Sequence, residues 1–126
     1  MTLFTPYPEH HMADATNYAQ LDYVTEVRRY DANADADTVS AIKRYCGIAL
    51  QKKDSSLVAC SDASERERVA QNFLAKKLGM TDDAKALDAM VQDVCQTMKE
   101  DREKLRVTFY YLLAHKHGKL GVFAKA

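Results

Sequence analysis

Proline is nearly missing from this chain: Pro6 and Pro8 occur, and none follows. Glycine is almost as scarce, with Gly47, Gly79, Gly118 and Gly121 the only four in 126 residues. Between Thr16 and His117 almost nothing breaks a helix. Tryptophan is absent. No apolar run approaches the roughly 20 residues that span a bilayer. The start of the chain lacks the charged and apolar blocks of a signal peptide. There is no G-x-x-x-x-G-K phosphate loop, no G-x-G-x-x-G turn and no G-x-S-x-G elbow. Cysteine numbers three, at Cys46, Cys60 and Cys95, with no C-x-x-C spacing. An odd, scattered set argues against a disulfide framework and a zinc knuckle. Free thiols fit a reducing compartment, so the expected location is the bacterial cytoplasm, with no membrane association and no cofactor.

What is present is helical. Strict alternation of apolar and polar residues is not found, so no strand is expected. One domain is expected at this length. Residues 1–15 read as a flexible N-terminal tail or a vector remnant, with Met12 a candidate true start. Residues 16–121 read as a single all-α domain of five or six helices, and 122–126 as a C-terminal tail. The last helix, about Asp101–His117 and closed by Gly118, holds the densest apolar run (Leu105, Val107, Phe109 to Ala114). A helix apolar over so wide an arc belongs in the middle of a fold.

Asn17 or Thr16 can cap a first helix to about Tyr30. A second, from about Asp37 to Cys46, buries Val39, Ile42 and Cys46 and ends at Gly47, with a short helical piece to Lys52. Residues 54–62 form a connector whose Leu57 and Val58 plug the core. Asp62 with Glu65 opens a helix to Leu78 with Val69, Phe73 and Leu74 inward and Gly79 as its C-cap. Thr81 caps the next helix, with Ala84, Leu87, Met90, Val91, Val94, Cys95 and Met98 as its apolar stripe.

Three stretches carry a family likeness: Asp54-x-Ser56-x-Val58-x-x-Ser61-Asp62, then Asn72-Phe73-Leu74-x-Lys76-Lys77-Leu78-Gly79, then Tyr110 to Ala114 ending in Gly118-Lys119. In this order they resemble a small family of bacterial proteins known only as a domain of unknown function. The resemblance covers about residues 18–121. It implies a compact all-helical fold and supplies no catalytic residue.

The net charge is zero, but the segment from Lys104 onward carries five basic residues and no acidic one. That asymmetry marks a candidate interaction surface, Lys76, Lys77, Lys104, Arg106, Tyr111, Lys116 and Lys119. Converged, these side chains could hold phosphates and stack bases. Other constellations have plainer readings. Asp31–Asp37 lacks the glycine and closing glutamate of a calcium loop. His115 and His117 at i, i+2 point about 200° apart, unlike zinc ligands on a helix. Cys60, ahead of a helix start, is either a reactive thiol or a small buried residue. The pairs Asp101/Glu103 and Asp82/Asp83 lie at helix starts, where capping accounts for them. No metal site is expected. The leading expectation is therefore a non-enzymatic protein–protein interaction or structural module, including a homodimer joining basic to acidic faces. The alternative is nucleic-acid binding through the basic strip, with a thiol or metal-dependent enzyme behind both.

Overall fold

The computed structural model describes residues 16–124. The expected tail 1–15, with His10, His11 and Met12, lies outside them. Six α-helices make up the fold: α1 (Tyr23–Arg28), α2 (Ala36–Cys46), α3 (Lys53–Ser56), α4 (Ala63–Arg68), α5 (Ala84–Thr97) and α6 (Arg106–Lys116). Among the described residues there is no strand, only an isolated antiparallel bridge between Leu57 and Leu105.

Aspartate starts four of the helices. Asp22, Asp35, Asp62 and Asp83 each accept backbone N–H bonds from the first turn of α1, α2, α4 and α5. Each such cap stabilises by about 1 kcal/mol. Two starts differ from expectation. Asn17 caps only the short 3-10 turn Tyr18–Gln20, and α1 begins later at Asp22. Asp83, not Thr81, caps α5, because its carboxylate reaches the Ala86 N–H at 2.8 Å.

Beyond Arg68, α4 continues as a π-helix over Val69–Lys77, with bonds such as Leu78 N–H to Phe73 C=O at 2.9 Å. The wider turn, roughly 4.4 residues, follows from i→i+5 bonding. It also explains the apolar spacing. Val69, Ala70, Phe73, Leu74 and Leu78 are all buried. An α-helical turn would spread them over about half the helix circumference, whereas the π turn gathers them on one side. Gly79, at φ +72°, reverses the chain, and Met80 N–H returns to Leu74 C=O at 3.0 Å.

The centre is α6. Every residue from Val107 to Ala114 is buried, and α1, α2, α3 and α5 all pack on it. Burying each large side chain here contributes roughly 1.5–3 kcal/mol. The helix is shorter than the expected 101–117. Residues 101–105 are held in other bonds: Val58 N–H donates to Lys104 C=O at 2.9 Å, Leu105 bridges Leu57, and Asp101 binds Arg29 and Tyr30. At its other end Gly118 takes φ +67°. The chain then makes a 3-10 turn, Leu120–Phe123, that packs on α2. Of the residues expected as tail, Phe123 packs against the core, while Val122 and Ala124 are exposed.

Candidate functional site

The basic set does not form one strip. Arg106 leaves the surface, its side chain 12% exposed. Its guanidinium donates to the Ser55 and Leu57 carbonyls at 2.6 and 2.9 Å, to the Tyr110 hydroxyl at 3.0 Å and to the Glu65 carboxylate. Tyr111, expected on the surface, is 2% exposed, and its hydroxyl donates to Asp31 at 2.7 Å. Lys116 pairs with Asp93 and Lys104 binds the Asp101 carbonyl, both at 2.8 Å. Lys76 is exposed and Lys119 half-buried. Arg106 and Tyr111 are tied to the interior because each supplies the partner that a buried polar group there requires.

The Arg106–Glu65 pair sits at the back of an open depression of about 420 Å³, also lined by Asp54, Ser55, Asp62 and Arg68. Glu65 is 8% exposed and bonds Arg68 as well as Arg106. Its spacing from Asp62 is that of a capping box, yet these two arginines hold its carboxylate instead. Ser55 donates to the Ala49 carbonyl and Ser56 to the Lys52 carbonyl. The cluster therefore fastens the 53–58 segment to α6, and neither hydroxyl is bonded to a base.

The cysteines overturn an expectation. Cys60 and Cys95 form a disulfide joining the connector before α4 to α5. They lie 35 residues apart in sequence, and the fold brings their Cα atoms to 5.9 Å. Cys46 remains a thiol, which burial pushes up to about 12. His115 stacks on Tyr111 and lies 3.8 Å from Asp31. The candidate carboxylate pairs are divided among structural partners: Asp101 holds Arg29 and Tyr30, Glu103 accepts from Tyr18, and Asp83 caps α5. Among the described residues no three His, Cys, Asp or Glu side chains group as a metal ion would need.

One face was not read from the sequence. Tyr45, on α2, packs against Phe123 at 5.9 Å and lies beside the Phe73–Tyr110 stack, whose rings are 3.9 Å apart. The Lys77 ammonium sits over both outer rings, 5.1 Å from Tyr45 and 5.2 Å from Phe123. Among the described residues Tyr45, Ile48 and Val122 are the large apolar side chains left in water, 40%, 81% and 39% exposed. All three lie within three residues of the Tyr45–Phe123 contact along the chain. Beside it a depression of about 250 Å³ is lined by Asp35, Asp37, Arg44 and Phe123. Neither Asp37 nor Arg44 has an ion-pair partner among the described residues. Tyr45 and Ile48 could have been found as apolar residues lying off the Val39–Ile42–Cys46 stripe.

The three quoted motifs lie in the connector, the π-helix and α6, which together frame the core. A sequence profile described as protein of unknown function (DUF2853) matches residues 22–121. The chain belongs to the DUF2853 family. No curated protein matches it. The DUF2853 match takes in the Arg106 cluster, both disulfide cysteines, Tyr45 and Lys77, and it stops just before Val122 and Phe123. Among the described residues no helix is long and apolar enough to cross a membrane.

Proposed function

We propose that this chain is a non-enzymatic interaction module whose partner is a second copy of itself, docked through the outer face of α2. The observation that carries this reading is the placing of exposed apolar groups (Tyr45 on α2, Ile48 just after it, Val122 in the 120–123 turn that packs on α2) with the unpaired, oppositely charged Asp37 and Arg44 of α2. A twofold interface must be self-complementary. Asp37 lies in the first turn of α2 and Arg44 in its last. When two copies of α2 run antiparallel across a twofold axis, each Asp37 meets the other's Arg44. The apolar groups then supply the buried centre that such an interface needs. Lys77, from the expected basic set, rims it.

Nucleic-acid binding has less support, since Arg106 and Lys116 are already paired with Glu65 and Asp93. Light scattering on the wild type and on an Ile48→Asp/Val122→Asp double variant tests the proposal. The wild type is expected to be a dimer at micromolar concentration. The variant should be a monomer with unchanged helical circular dichroism, because both positions are exposed. A wild type that stays monomeric would end the reading.

A further inference from the structure

We propose that Cys60–Cys95 is a reversible thiol–disulfide exchange site, which takes a dithiol as its reductant and opens without unfolding the domain. The bond is redundant for holding the connector in place. Val58 is buried and its N–H bonds the Lys104 carbonyl. Arg106 clamps the Ser55 and Leu57 carbonyls. Arg66 bonds the Cys60 carbonyl at 2.8 Å and pairs with Asp88 at 3.1 Å, so it links the connector, α4 and α5 without any sulfur. A core of this extent also has no need of a covalent staple, unlike that of a very small domain. Both cysteines lie partly exposed at the edge of the core, whereas Cys46 is buried within it. The partial exposure of both residues gives an incoming thiolate a route to the bond, and the buried third thiol is kept out of the exchange.

The chemistry balances with a dithiol. Its thiolate attacks the Cys95 sulfur, the Sγ–Sγ bond breaks, and Cys60 leaves as a thiolate. Arg66, bonded to the Cys60 carbonyl and paired with Asp88, keeps the connector seated on α5 while the Cys60 sulfur departs. The second thiol of the reductant then attacks its own half of the mixed disulfide and releases Cys95. The two protons of the dithiol end on Cys60 and Cys95, and the reductant becomes the disulfide. Two electrons move in all.

The test uses the full chain, native buffer and dithiothreitol, with alkylation, mass spectrometry and circular dichroism as readouts. Before reduction no alkylation of Cys60 or Cys95 is expected. Afterwards both should be alkylated and Cys46 should not, with the helical signal unchanged. Removing the reductant and adding oxidised glutathione should close the bond again. Three results would each overturn the proposal: reduction only in denaturant, loss of helical signal on reduction, or thiols that oxidised glutathione leaves open. A Cys60→Ser variant that fails to fold would do the same, since it would make the bond structural.

Discussion

Asp31 and Asp101 each anchor a distant part of the chain, and both become acid-sensitive as a result. The Tyr111 hydroxyl donates to Asp31 and holds its carboxyl below the usual range. At Asp101 burial works upward, but Arg29 and Tyr30 outweigh it and the net shift is down. A lowered folded pKa contributes stability that is present above the unfolded value, near 4, and is lost as pH falls through the folded value. The melting temperature should therefore drop between about pH 5 and pH 2. Asp31→Asn should melt lower at pH 7 and fall less steeply in acid, and parallel curves would count against this assignment. Arg106 offers a second test. Arg106→Ala leaves Glu65 buried with only its surface partner Arg68, and should cost about 3–5 kcal/mol in urea denaturation. Replacing both by apolar residues, Arg106→Met with Glu65→Leu, should recover part of that loss, because it removes the stranded carboxylate while the Ser55 and Leu57 carbonyls still lose their donor. Equal losses would mean that the pair is not a coupled unit.

At the scale of elements, the sequence reading succeeds where one physical signal dominates. The run Val107–Ala114 of α6 is buried throughout as expected, and the stripe of α5 buries Leu87, Val91, Val94 and Met98, with Met90 and Cys95 partly buried and Ala84 exposed. Asp62, Gly47, Gly79 and Gly118 mark helix ends because cap chemistry and positive φ are local. The start of α6 was hidden because Asp101 and Lys104 are drawn into bonds with residues distant in sequence, or in the loop itself. The π-helix was hidden because spacings of four and five also occur along α-helices. It makes Phe73 a centre of packing, stacked on Tyr110 and fully buried. Phe73→Ala should thus cost about 3–5 kcal/mol. The exposed Lys76→Ala, three residues on, should stay within about 0.5 kcal/mol. A mild Phe73 effect would show that the wide turn repacks easily. The disulfide was illegible for a different reason: pairing depends on tertiary proximity, which spacing alone does not encode.

For the whole molecule, the proposed self-association turns on the outer face of α2. Six of the seven candidate surface residues share a positive charge, but folding sends Arg106 and the neutral Tyr111 inward and leaves Lys77 against Tyr45 and Phe123. The face that emerged joins α2 to the 120–123 turn, two segments far apart in the chain, so only packing reveals it. Its defining property is that acid and base lie at opposite ends of one helix's exposed side. Sedimentation equilibrium of three proteins tests this most directly: wild type, Arg44→Asp, and the swapped Asp37→Arg/Arg44→Asp. A self-complementary interface predicts a dimer, a monomer and a recovered dimer. A wild type that remains monomeric, or a swap that fails to restore what Arg44→Asp removes, would contradict it.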